Sequence, residues 1–284
     1  MGIIFGLLAA LGTGISLVLI KRSYKELPAS VAFAFQAIFG LILWIPFALY
    51  VGITFQHFGT VLLLAFISAI LSEAFYYYIF SKASVGLTGA AFSTYPVFTI
   101  FFALLIISER PPVGLWPFLA LTILGVIVMS LPDKLGDRID KRKALFWGLL
   151  GALVVGLADT LSKGIIDKTS AATFLFALAI MQVPVAVAFL IVQKQSIAQF
   201  KQVIMHFKVY IYSALGALIG TVGLVFLWLT FEATYASVAS PLTAIYPGFT
   251  AILAYLYLKE RISKRDALGI AIIVAGVAGI SYFV

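Results

Sequence analysis

Apolar runs of membrane-spanning length alternate with short polar breaks from one end of the chain to the other. The runs fall at 2–20, 28–51, 58–80, 86–108 and 112–131, and again at 145–163, 171–193, 209–231, 236–258 and 266–284. A helix needs about 20 residues to cross a bilayer core, whereas a tilted barrel strand needs only about 9–11. Within lipid each backbone polar group must also be satisfied internally. The pattern therefore predicts an all-α integral membrane protein with ten transmembrane helices. The first run has Lys21 and Arg22 after it and no basic residue before it, which reads as a retained helix rather than a secretory signal.

Two polar stretches stand out. Pro132 to Lys143 reads PDKLGDRIDKRK and is expected to be a solvated linker at 132–144, on the cytoplasmic side, between halves at 1–131 and 145–284. Lys194 to Lys208 carries Ile197, Phe200, Ile204 and Phe207 every three or four residues, with Lys194, Lys201 and Lys208 between them. That spacing predicts a short helix lying in the membrane interface, the alternative being an ordinary solvated loop.

The two halves repeat one another. Displacing the first half by 151 positions lays Tyr95-Pro96 on Tyr246-Pro247, Phe98-Thr99 on Phe249-Thr250, Glu109-Arg110 on Glu260-Arg261 and Gly125-Val126 on Gly276-Val277. At a slightly smaller displacement Gly6, Ala10, Gly14 and Lys21 meet Gly148, Ala152, Gly156 and Lys163. Five helices is an odd number, so the second half must enter the membrane from the opposite side. The expectation is two inverted five-helix repeats around a central cavity, a plan that lets two equivalent halves open one site to either side.

Composition and charge narrow the class. Of 284 residues, 63% are hydrophobic and 11% charged, against about 45–50% and about 25% in soluble domains. Little chain is left for an extramembrane domain. The formal charge of +8 is read as loop charge that orients the protein, not as a nucleic-acid footprint. Lys21, Arg22, Lys25, Lys82, the 134–143 cluster, Lys194, Lys201, Lys208 and the 259–265 cluster fall on one side, and Arg110, Lys163 and Lys168 on the other. The positive-inside rule makes the first side cytoplasmic and puts both termini outside a plasma (inner) membrane. Cysteine is absent, which excludes disulfides and thiolate chemistry. His57 and His206 lie in apparent loops, so the helices lack a metal or nucleophile–base constellation, and no GxxxxGK[ST] loop appears. The chain is expected to be no enzyme and to need no cofactor beyond a coupling proton. Its expected partners are a small-molecule substrate and the lipid bilayer, with the chain a monomer or homodimer.

The first-helix pattern Gly14 to Lys21 with its counterpart Gly156 to Lys163, and the stretch from Tyr95-Pro96 through Glu109 to Gly125 with its counterpart Tyr246-Pro247 through Glu260 to Gly276, resemble the EamA-type repeats of the drug/metabolite transporter superfamily. The resemblance implies a basket of helices whose first four in each repeat line a cavity, with the fifth and tenth peripheral. It also implies export or exchange of amino acids, other metabolites, drugs, nucleotide sugars or sugar phosphates. Many relatives carry basic residues after the second helix and keep both termini inside. Here the loop Gly52 to His57 has no Lys or Arg, which is why the opposite orientation is expected.

Within the helices the candidate substrate-binding residues are few. An ionisable group at mid-membrane costs about 2.5–3.5 kcal/mol on insertion scales and normally faces a cavity or a partner. Glu73 is such a group, with Tyr76 and Tyr77 on its face. There it could trade a proton for the cationic group of a substrate, or simply bond to a neighbouring helix. Asp159 and Lys163, four apart, either contact substrate or neutralise each other, and Lys163, like Lys21, could snorkel to the interface. Gln36 and Gln182 could bond a ligand or join helices. Tyr95, Trp228 and Tyr246 could complete an aromatic cage for an amine, or be packing. Pro96 and Pro247 are expected to weaken their helices one turn back, and Glu109 and Glu260 to fix tight turns by local bonds. The overall expectation is a secondary transporter, exporter or exchanger, of a small polar metabolite such as an amino acid or amine, by proton-coupled alternating access. The alternative is a nucleotide-sugar or sugar-phosphate carrier, which would want Lys or Arg inside the cavity.

Overall fold

The structure, a computed structural model, describes residues 1–23, 28–82, 88, 91–130, 138–195, 205, 207–249, 252–253 and 264–283. Among the described residues there is no strand. The helices are α1 (Gly2–Ser23), α2 (Ala29–Val51), α3 (Phe58–Ser68), α4 (Phe75–Lys82), α5 (Tyr95–Ile106), α6 (Trp116–Ser130), α7 (Arg138–Ile166), α8 (Ala171–Val192), α9 (Phe207–Ala233), α10 (Ala236–Thr243) and α11 (Lys264–Ser281). Six described spans are long and apolar enough to cross a membrane: Gly2–Ile20, Ala29–Val51, Phe58–Ile79, Leu145–Ile166, Ala171–Val192 and Tyr210–Ala233. Tyr95–Ile106, Val113–Val128 and Ala267–Ile280 are shorter apolar helices.

Several boundaries differ from the sequence expectation. The third run is not α-helical throughout: α3 and α4 are joined by a π-helical turn, Ala69–Ala74, where the N–H of Phe75 bonds to the carbonyl of Ile70, five residues back. Such turns are rare and occur mostly at functional sites. The fourth and ninth runs are broken rather than kinked. A turn at Ser93-Thr94 precedes α5, and a turn at Ala244-Ile245 precedes a second helical stretch that starts at Tyr246. Pro96 and Pro247 each sit in the first turn of the new helix, where the missing N–H costs nothing. Of the expected linker, residues 132–137 lie outside the described residues, and α7 begins at Arg138. Residues 196–204 of the interfacial segment lie outside the described residues, as do Lys25, Glu260, Arg261 and His206, while Phe207 and Lys208 belong to the start of α9.

Packing crosses between the halves. The first helix, α1, lies along α9; α2 lies along α8; α5 and α3 both meet α7; α10 meets α1; and α6 pairs with α11. The small residues of the first-helix pattern make these approaches close. A Cβ on Gly6 would stand 2.9 Å from Leu242 Cβ of α10, and one on Gly148 would stand 2.5 Å from Ala91 Cβ. On Gly156 it would meet Phe98 Cβ at 2.7 Å and the Thr99 nitrogen at 2.8 Å. Small side chains admit such backbone contact in lipid, where no hydrophobic force drives helices together. Further inside, the Trp44 indole is fully buried and its Nε1 donates to the Thr221 carbonyl at 2.9 Å, tying α2 to α9.

Candidate functional site

Helical stripes from both halves converge on one central cavity of about 110 Å³. From α1 it takes Thr13, Ser16, Leu17 and Ile20, and from α9 Gly220, Leu224, Leu227 and Trp228. Both sets recur at three- and four-residue spacing, as one face of a helix must. The π turn and α4 contribute Ser72, Glu73, Tyr76 and Tyr77, while α7 contributes Val155 and Asp159. The two broken helices close the cavity with Phe92, Tyr95, Thr243 and Tyr246.

A chain of directed hydrogen bonds holds the acidic side. The Tyr77 hydroxyl donates to Gln36 Oε1 at 2.8 Å, and Gln36 Nε2 donates to Glu73 Oε2 at 2.6 Å. Beside it, the Ser72 hydroxyl donates to Asp159 Oδ1 at 3.4 Å, linking the π turn to α7. Glu73 and Asp159 are buried, and neither forms an ion pair with a described cation. The tyrosines of the two Tyr-Pro pairs reach across the halves. The Tyr95 hydroxyl shares a bond of 2.8 Å with that of Thr243, and the Tyr246 hydroxyl one of 3.3 Å with that of Ser93. Tyr76 stands edge-on to Phe92 at 5.3 Å, and Trp228 edge-on to Phe174 at 4.7 Å. The indole N–H of Trp228 has no hydrogen-bond partner among the described residues.

Eight sequence candidates thus share the cavity: Gln36, Glu73, Tyr76, Tyr77, Tyr95, Asp159, Trp228 and Tyr246. Lys163 and Gln182 do not. The pairing of Asp159 with Lys163 is not formed. Instead the Lys163 ammonium donates to Asp167 Oδ1 and to the Phe231 carbonyl, each at 2.6 Å, and is buried rather than snorkelled. It lies in the last turn of α7, where carbonyl groups and the helix dipole favour a cation. Gln182 is fully buried in α8 beside Gly40 of α2, with neither amide atom hydrogen-bonded among the described residues. Glu109 does not fix a local turn either. Its carboxylate accepts the backbone N–H groups of Ala236 at 2.6 Å and Ser237 at 2.9 Å, capping α10 from the other half.

Sequence reasoning missed Ser72, whose hydroxyl was visible only as a neighbour of Glu73. It also missed the apolar wall of Leu17, Ile20, Leu224 and Leu227, which looks like any helix face until its partners are known.

The sequence model of the EamA-like transporter family matches residues 1–131 and 142–282. The chain belongs to the EamA-like transporter family. It is accordingly a multi-pass membrane protein of the drug/metabolite transporter type, whose members are transporters. A relative in Methanocaldococcus jannaschii, itself uncharacterized, is 26% identical over 135 residues, covering 47% of this chain and 93% of the relative. A solved crystal structure superposes on 99% of this chain and 96% of its own, with a TM-score of 0.73 at 15% identity, a likeness of fold alone.

Proposed function

We propose that this EamA-like protein is a secondary transporter that exports or exchanges a small polar metabolite, such as an amino acid or amine, by alternating access with a proton as coupling ion. The observation that carries the reading is the central cavity, where Glu73 and Asp159 stand among aromatic rings with no described cation beside them. An ionisable group kept inside a membrane protein is by default part of a substrate or proton path. A carboxylate there can hold either a proton or an ammonium, which is the competition a proton exchanger needs.

Two features support an inverted-repeat plan. Helices exchange partners between the halves, and the breaks before Tyr95 and Tyr246 recur at matching positions. The archaeal relative also spans about half of this chain while being matched over nearly its own full length. In this reading α6 and α11 form the periphery, both termini face outward, and the membrane is the plasma (inner) membrane. The nucleotide-sugar or sugar-phosphate alternative loses support because Lys163, its one candidate for binding phosphate, is committed to Asp167 and Phe231 outside the cavity.

The test is substrate counterflow in sealed liposomes containing the purified protein. Accumulation of labelled amine or amino acid against preloaded substrate, dependent on protein and altered by an imposed pH gradient, is expected. Protein-containing liposomes no more permeable than empty ones to every such solute would sink the reading.

A further inference from the structure

The cavity has two chemically different walls, and their difference defines the substrate further than its size does. One part of the lining is acidic: Glu73 on the π turn, and Asp159 on α7, which accepts from the Ser72 hydroxyl next to Glu73 in the chain. The apolar part of the lining is Leu17 and Ile20 of α1, beside Thr13 and Ser16, with Leu224 and Leu227 of α9. Trp228 also lines the cavity, almost fully buried, with an indole N–H that has no partner among the described residues.

A substrate carboxylate finds little to hold it. Among the described residues no Lys, Arg or His lines the cavity. The broken helices would be its natural seat, because helix N-termini at mid-membrane offer free N–H groups to anions. Here both have fewer of those donors to offer. Pro96 and Pro247 occupy the first turns and have no N–H, and the next amides, of Val97 and Gly248, are already bonded to the carbonyls of Thr94 and Ile245 at 3.0 Å and 2.9 Å. A zwitterion would therefore carry its carboxylate into a cavity where the ionisable groups among the described residues are the carboxyls of Glu73 and Asp159 and tyrosine hydroxyls.

We infer that the substrate is an amphipathic organic amine without a carboxylate, its ammonium between Glu73 and Asp159 and its apolar body against Leu224 and Leu227. The Trp228 N–H is left to donate to a hydroxyl or ether oxygen on that body. This inference rests on the transport reading above and narrows it from amino acids and amines to amines alone.

The probes are tyramine, tyrosine and ethylamine, which share an amine but differ in carboxylate and apolar body. Binding is followed by thermal unfolding of the purified protein and by displacement of labelled tyramine. Tyramine is expected to bind at least tenfold more tightly than either comparator. Asp159→Asn should cost tyramine at least tenfold, and Leu224→Gln should weaken tyramine while leaving ethylamine unchanged. The Leu224 variant keeps the test valid if the Asp159 variant fails to fold. Tyrosine binding as tightly as tyramine overturns the inference, as does ethylamine doing so, or tyramine producing no shift at millimolar concentration. Counterflow in liposomes separates the two readings. Tyrosine flux without tyramine preference leaves transport standing and removes the amine site, whereas tyramine binding with no flux leaves the site standing and removes transport.

Discussion

Gln36 Nε2 lies 2.6 Å from Glu73 Oε2, and this bond joins α2 to the π turn at the wall of the cavity. The same amide accepts the Tyr77 hydroxyl through its other end, so one glutamine orients both the carboxylate and a ring beside it. Gln36→Leu would strip the polar partner from both, and leaving buried polar groups unpaired costs about 1–3 kcal/mol, more for a charge. A lower unfolding temperature is expected, with a smaller loss for Tyr77→Phe, which removes a single neutral bond. Equal unfolding temperatures for Gln36→Leu and the native protein would show that the bond carries no stability.

Glu73→Gln keeps the shape and removes the proton. If a proton and a substrate cation compete for the carboxylate, as proposed, apparent affinity should fall as pH falls, because ligand binding that displaces a proton is weakened by more protons. In the variant the affinity should be lower and flat with pH. A pH profile of flux that survives the substitution would remove Glu73 from coupling.

Lys163→Met tests a structural cation. The ammonium holds the end of α7 to the carbonyl of Phe231 near the end of α9, and a hydrogen bond to a charged group is worth about 1.5–3 kcal/mol. The variant should unfold at lower temperature while its tyramine affinity stays native. A large loss of affinity at native stability would return Lys163 to the binding site.

Glu109 caps α10 across the two halves, and charge-assisted caps are worth about 1–2 kcal/mol. Because the chain has no cysteine, Ser237→Cys gives a single label. Ser237 is fully buried, so maleimide should react slowly there and severalfold faster when Glu109→Gln is added. Unchanged labelling would mean that α10 stays seated without the cap.

Gly156→Val should be the most damaging of these changes. Even its Cβ would stand 2.7 Å from Phe98 Cβ, and separating packed helices costs about 1–3 kcal/mol or more. Low yield or a broad, early unfolding transition in detergent is expected, and native behaviour would contradict the close approach of α5 and α7.

Much of this was legible along the chain. Runs of apolar residues long enough to span lipid allow no other class of structure, and the doubled Tyr-Pro and Glu-Arg pairs marked the repeat. Glu73 announced itself because a charge in hydrocarbon demands a reason. The prolines were visible too, yet a proline suits a helix start as well as a kink, and only the packed structure puts the breaks just before Tyr95 and Tyr246.

The partners were beyond reach of the sequence. Helical spacing puts Asp159 and Lys163 on one face, but each side chain had competing partners, some nearby in the chain and some supplied by other helices. Lys163 bonds to Phe231 and Asp167, Asp159 accepts from Ser72, and Glu109 reaches the start of α10, more than a hundred positions along the chain. The sequence by itself determined the class, where the apolar runs lie and which residues could not be idle in lipid, because those follow from local hydrophobicity and the cost of buried charge. Tertiary structure decided which of them meet at the cavity and which end as struts, because hydrogen-bond partners depend on the register between helices distant in sequence.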